Sequence, residues 1–297
     1  MAEIIAGQSV LIGPYNLSSN INSVALQLAR DPVDVTTLGD TFRKYIPGLR
    51  QGDLQYEGFH DTVDDRMTWL DTNLGLANVP CTIVGKQSAV GDPVYLFKAH
   101  QANLSPIKGA IGDASRISGA VQADSRVVRG TLLAKGTQTA TGNGTIFQLG
   151  AIPTGDQLHA ALHVTSVSGT SPTLTVKIQS ASTLGFSSPI DRVTFTVVNG
   201  VITSEFKTLD GPITDAYWRV TWTISGTSPS YGFALAAGFI NVNDRALPVF
   251  DSLALWLDAS DLATITKNGS NQVSQWNDKS GNNKHLIQAT AANQGVY

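Results

Sequence analysis

The chain has 297 residues, of which 42% are hydrophobic and only 14% charged, and its formal net charge is -3. Each of residues 1–135, 136–245 and 246–297 carries one net negative charge, which excludes the basic footprint of a nucleic-acid binder. The lone cysteine, Cys81, excludes an intrachain disulfide, and no apolar run of about 18 residues reads as a membrane helix.

The opening MAEIIAGQSVLIG has no basic residues ahead of a hydrophobic core, so a soluble protein made in a reducing cytoplasm is expected. Abundant Gly, Thr, Ser, Val and Asn favour short strands joined by tight turns, and the predicted class is all-β with one short helix. Val24, Leu26 and Leu28 alternate with polar or small residues as in a half-buried strand, which Asp31-Pro32 should stop. A long connection follows, Asp34 to Asp61, reading DVTTLGDTFRKYIPGLRQGDLQYEGFHD. Its last part, Asp53 to His60, is a predicted strand. The rest holds too many aromatic and aliphatic residues for disorder, and loops of this length are usually functional. Those side chains need a surface, and another copy of the chain can supply it.

Val63, Met67, Leu70 and Leu74 lie on one face of a predicted helix. Asp61 or Thr62 caps its start, Asp64 and Asp65 suit its positive first turn, and Gly75 suits the left-handed position after its end. Four strands follow: Val79 to Val84, Val94 to Gln101, Arg116 to Ala123 and Val127 to Ala134. Tyr95 and Phe97 opposite Val94 and Leu96 predict a strand covered on both faces. The polar run at 136–145 reads as a boundary closing a first domain at residue 135.

In 136–245, a predicted antiparallel β-sandwich, Leu158 to Val164 and Leu174 to Ile178 alternate with polar or small residues and are joined by SGTSP at Ser168 to Pro172. Val193 to Val197 and Val201 to Lys207 flank Asn199-Gly200, a hairpin signal. Trp218, Val220, Trp222 and Ile224 form an apolar face, and a second SGTSP, Ser225 to Pro229, leads to Tyr231 to Ile240. After Trp276 too little apolar content remains for a separate core.

Chemistry is sparse. Cys81 lies in an apolar run and reads as a small buried hydrophobe. His159 and His163 have helical metal spacing but sit on a strand, which separates them by about 13 Å. Asp251, Asp258 and Asp261 could share a calcium ion, although turn and capping roles fit them better. Trp218 and Trp222 alternate as core residues do. No serine elbow, phosphate loop or acid-base pair stands out, so neither an enzyme nor a cofactor is expected.

The loop–strand–helix order resembles the major tail tube proteins of long-tailed bacteriophages, which carry a T-x-x-G-D-x-x-R-x-x-I-P-G-L type loop. Here the pattern falls on Thr36 or Thr37, Gly39, Asp40, Arg43, Ile46, Pro47, Gly48 and Leu49. It covers about 30 residues closely and the first 135 loosely. The resemblance implies a structural virion protein whose copies form hexameric rings, stacked into the tube through which the genome leaves. Its implied partners are further copies of itself, tape-measure and tail-terminator proteins, and DNA passing without specific binding. The subunit-contact loop expected from it comprises Thr37, Asp40, Phe42, Arg43, Tyr45, Ile46, Pro47, Leu49 and Arg50, ordered only on assembly. Residues 136–245 resemble accessory domains outside the tube wall. The C-terminal LALWLDASDLATIT and NQVSQWNDKSGNNKHLIQATAANQ resemble the opening of laminin-G or concanavalin-like lectins, as an incomplete segment over 246–297. An adhesin that reaches host glycans through this region is the alternative.

Overall fold

The computed structural model describes residues 7–60, 65–241, 257–259, 261–279 and 284–297. It is all-β with one α-helix, as expected from the composition. The chain divides into two compact units, residues 1–31 with 49–244, and residues 32–48 with 245–297.

The first unit begins with β1 (Ser9–Ile12) and β2 (Tyr15–Asn16), followed by β3 (Ile21–Asp34) and β4 (Tyr45–Phe59), both of which run on into residues 32–48. After helix α1 (Asp65–Thr72) come β5 (Val79–Val84), β6 (Pro93–Lys108), β7 (Arg116–Ala123) and β8 (Val128–Gln138). The expected stop at Asp31-Pro32 is not there. β3 passes through Pro32, and β4 starts eight residues before Asp53, so most of the expected long loop is a β-hairpin. Proline is tolerated there because β3 pairs with β4 alone among the described residues, leaving it an edge strand.

β1, β5 and the first half of β6 are covered on both faces. Val10, Ile12, Cys81, Ile83 and Phe97 join one apolar cluster with Leu54, Tyr56, Met67, Leu70 and Ile117. Leu11, Val84, Val94 and Leu96 enter another with Leu132, Ala161 and Ala234. This is the two-faced burial expected of the strand from Val94. Burial pushes the Cys81 thiol up and leaves it inert. Met67 and Leu70 fix α1 on the core, whereas Leu74 lies beyond the helix and is exposed. Gly75 takes the expected left-handed conformation, φ +80°, and its N–H donates to the Gln101 carbonyl at 3.1 Å. Asp61, Thr62, Val63 and Asp64 lie outside the described residues.

The polar run at 136–145 does not interrupt the sheet. β8 continues through Gln138 and pairs with the last half of β15 (Tyr217–Asn241); before that strand come β9 (Gly142–Asn143), β10 (Phe147–Gln148), β11 (Asp156–Ala181), β12 (Ile190–Thr194), β13 (Val198–Asn199) and β14 (Thr203–Asp210). β11 and β15 form one long antiparallel ribbon, and β12, β13 and β14 follow the other edge of β11. The SGTSP segments are therefore not turns. They face each other midway along the ribbon, where its register shifts between Ser168 and Thr173. Gly169 and Gly226 have φ of +116° and +114°, Ser171 and Ser228 of +48° and +49°, so the two strands bend together about a local two-fold. Asn199-Gly200 is a turn with Gly200 at φ +69°, yet the strands flanking it pair with β11 and not with each other.

The core of this ribbon contains Trp218, Trp222, Phe195, Tyr231 and Phe233. Both indole N–H groups are satisfied inside, Trp218 by the Gly150 carbonyl at 2.8 Å and Trp222 by the Ala140 carbonyl at 2.9 Å. Replacing Trp218 by Ala should cost about 3–5 kcal/mol in denaturant unfolding. A loss below about 1 kcal/mol would show that the ribbon does not depend on this side chain.

In the second unit, β16 (Ile265–Lys267), β17 (Val273–Trp276) and β18 (Leu286–Ile287) make a small antiparallel sheet. The Lys279 ammonium lies 3.1 Å from Asp258 and 2.8 Å from Asp261. A side-chain cation thus occupies the place considered for calcium, and hydrogen bonding to Asp261 raises the lysine pKa. Asp251 lies outside the described residues. No helix among the described residues is long and apolar enough to cross a membrane.

Candidate assembly site

The expected contact residues fall on the β3–β4 hairpin. Its antiparallel pairing is fixed by Phe59 N–H donating to the Asn20 carbonyl at 2.7 Å and Val35 N–H donating to the Lys44 carbonyl at 2.9 Å. Gly58 is required at the first of these positions, since a Cβ there would lie 2.1 Å from the Asn20 carbonyl oxygen.

The turn between the strands supplies its own hydrogen bonds. Thr37 donates to Asp40 through its N–H at 2.9 Å and its hydroxyl at 3.0 Å, and the Asp40 N–H returns to the Thr37 carbonyl at 3.0 Å. Thr36 N–H donates to Asp34 at 2.9 Å, while its hydroxyl accepts from Lys44 N–H at 2.9 Å. Asp40 also forms an ion pair with Lys44. The Lys44 hydrogen bond, followed by that from the Thr37 backbone, brings the Asp40 carboxyl down to about 2. The polar residues thus close the turn within a single copy of the chain.

The apolar residues do the reverse. Phe42 is 83% exposed and Leu49 84%, and Leu38 at the tip is fully open. Tyr45 is half open and accepts from Arg43 at 3.3 Å; Ile46 is partly covered, and Pro47 and Arg50 are exposed. The structure therefore brings Thr37 to Asp40 and Arg43 to Tyr45, and leaves Phe42 and Leu49 directed to solvent. Sequence reasoning missed Leu38, Val33 and Val35, which share this exposure. Leu38 follows two threonines and precedes Gly39-Asp40, so its apolar character stands out only once the turn is known.

Two further features frame the site. β4 pairs antiparallel with β7, and β7 with the second half of β6, giving the order β3-β4-β7-β6. Asn103 to Lys108 of β6 pair with β7 alone among the described residues, because β5 and β8 pair with the segment up to Ala99. Among the described residues the four-stranded sheet consequently has two unpaired edges, β3 and the end of β6. One face is sealed by Leu54, Tyr56, Ile117 and Val121. The other carries Gln51, Asp53, Gln55, Glu57, Phe59, Arg116, Ser118, Ala120 and Gln122, with Lys108 of β6 opposite Arg116 and 3.7 Å from Glu57.

No family model matches the chain, and no curated protein matches it. Among solved structures it is similar to a component of the virion of a native gene transfer agent particle, at 11% identity and TM-score 0.34, covering 42% of this chain and 97% of that one. It is also similar to the SPP1 Dit protein, described as a paradigm of the hub adsorption apparatus in phages infecting Gram-positive bacteria. That likeness has 10% identity and TM-score 0.33, covering 78% of this chain and 99% of that one. Among the described residues no group of three or more His, Cys, Asp or Glu could hold a metal ion.

Proposed function

We propose that the chain is a structural subunit of a phage tail tube, closing into hexameric rings that stack into a conduit for the genome. The observation that supports this most is the β3-β4-β7-β6 sheet with both edges unpaired. An even number of antiparallel strands leaves the two edges running in opposite directions, so β3 of one copy can pair with the end of β6 of the next and continue the same antiparallel order. Repeating that contact around a ring leaves no free edge, which is how closed sheets avoid uncontrolled edge pairing. The open face would then line the bore. Its amides are joined by two carboxylates, Asp53 and Glu57, and two cations, Lys108 and Arg116, so the face carries no net positive charge to release counterions from DNA. In this reading residues 1–135 build the wall, 136–245 project outward, and the Phe42–Leu49 surface contacts another copy. The virion is the place where the chain acts, with tape-measure and terminator proteins as its tail partners.

Electron microscopy of the purified protein should show rings or tubes with a bore wide enough for duplex DNA. Replacing Arg43, Tyr45 and Leu49 together by Ala should leave the circular dichroism spectrum unchanged and abolish tubes. The reason is that these side chains contribute to no apolar cluster of their own chain. A monodisperse monomer at every concentration overturns the proposal. An unfolded triple variant would instead place the hairpin in the core.

A further inference from the structure

We propose that Asn199 is a site of self-modification, which the folded chain converts to aspartate and isoaspartate faster than the asparagine of either of its other Asn-Gly pairs. The inference is independent of the assembly reading and draws on a hairpin signal that reading leaves unused. The reaction needs no catalytic group. The Gly200 backbone nitrogen attacks the Asn199 side-chain carbon Cγ, the new C–N bond forms, the proton of that nitrogen passes to the departing amide, and ammonia leaves. Water then opens the five-membered imide at either carbonyl. The sum is one water consumed and one ammonia released, with no oxidant or reductant.

The chain has three Asn-Gly pairs, at 143–144, 199–200 and 268–269. Glycine leaves the attacking nitrogen unhindered and its peptide free to rotate, so the sequence alone ranks the three alike. The structure separates them. Asn143 lies in β9 opposite Thr221, and the Gly144 N–H donates to the Val220 carbonyl at 2.8 Å, which holds the attacking nitrogen against the sheet. The Asn268 amide is clamped at both ends. Its Oδ1 accepts from the Ser270 and Gln272 N–H groups at 2.9 and 3.0 Å, and its Nδ2 donates to Gln272 Oε1 at 2.8 Å, so turning Cγ toward Gly269 breaks all of these.

Asn199 escapes both restraints. It is exposed, and its side-chain amide has no hydrogen-bond partner among the described residues. It is also the last residue of β13, so the peptide that must rotate lies beyond the ladder, and Gly200 is exposed with φ +69°. One group holds this peptide back. The Tyr231 hydroxyl, at the end of a fully buried ring, donates to the Val198 carbonyl at 3.1 Å and accepts from the Gly200 N–H. It thus brackets Asn199 from both neighbours, and its bond to the attacking nitrogen sets the rate. Conversion places a carboxylate on the turn, and the isoaspartate form adds a methylene to the main chain between Val197 and Val201, which are 47% and 62% exposed. The change is one-way, so the converted fraction records how long the folded chain has existed.

The test is peptide mapping by mass spectrometry on the full chain held at mildly alkaline pH, with isoaspartate counted by enzymatic methylation. In the folded protein Asn199 should convert several-fold faster than Asn143 or Asn268. In urea the three rates should converge, because only the local Asn-Gly sequence then counts. Tyr231→Phe, which keeps the ring, should speed conversion at Asn199 roughly fivefold, the factor that one hydrogen bond of ordinary net strength is worth. Asn199→Gln should abolish the modification at that turn. Faster conversion of Asn143 or Asn268 in the folded chain overturns the proposal. So does an unchanged rate in a Tyr231→Phe protein whose circular dichroism matches the wild type; if that variant unfolds, the ranking of the three asparagines in the wild type still decides.

Discussion

Lowering the pH from 7 to 4 should cost the protein about 3 kcal/mol of stability through His163 alone, and a His163→Gln variant should be spared that part of the loss. His163 is fully buried on β11, where Nδ1 donates to the Gly13 carbonyl at 2.7 Å and Nε2 accepts from the Thr82 hydroxyl at 2.8 Å. The tautomer follows from the carbonyl, which can only accept. Burial lowers the imidazole from its ordinary 6.5 to about 4, opposed by the Gly13 hydrogen bond. The unfolded chain takes up its proton as pH falls through 6.5, while the folded chain resists until about 4. Stability is therefore full above 6.5, declines between these values and is lowest below 4. His159 is also lowered to about 4, by burial and then by Lys98 and Arg126, and adds to the slope in the same window. Urea unfolding at pH 7, 6, 5 and 4 measures the difference. Parallel curves for the variant and the wild type would show that His163 ionises without penalty.

Replacing Gly169 by Val should destabilise the fold by roughly 3 kcal/mol or more, and Gly226→Val by a similar amount. A Cβ on Gly169 would lie 2.8 Å from the Ser228 carbonyl oxygen, and one on Gly226 would lie 2.8 Å from that of Ser171. Both glycines also hold φ near +115°, where a β-branched residue is strained. Because the two segments press on each other, the double variant should cost less than the sum of the singles, as one displaced crossing relieves both clashes. Thermal unfolding of the three variants decides this. Strict additivity would mean that the segments bend independently.

Where burial imposes a period, the sequence could be read. Val79 to Val84 and Arg116 to Ala123 have the boundaries expected of them, the first as an apolar run buried on both faces and the second as a strand alternating against a sealed core. The β3–β4 hairpin could not be read in the same way. Both of its faces are open from Pro32 to Arg50, so nothing selects one parity of side chains, and Pro32, Gly39, Pro47 and Gly48 look like breaks. The expected contact residues were placed there by motif alone, and the exposure of Leu38, Ile107 and Ile111 was not foreseen because single aliphatics among Gly, Pro and Lys have no pattern. SGTSP misled for a different reason. A turn and a paired bulge both demand residues that tolerate positive φ, so composition does not distinguish them, and only the ribbon across from each copy does.

The turn that Thr37, Asp40 and Lys44 close for themselves bears on how assembly is controlled. On the tube reading proposed above, a hairpin whose turn is closed by its own hydrogen bonds would owe little ordering entropy when it meets another copy. Starting a first ring would then be the slow step, and elongation from an existing end would run at the rate at which copies collide in the right orientation.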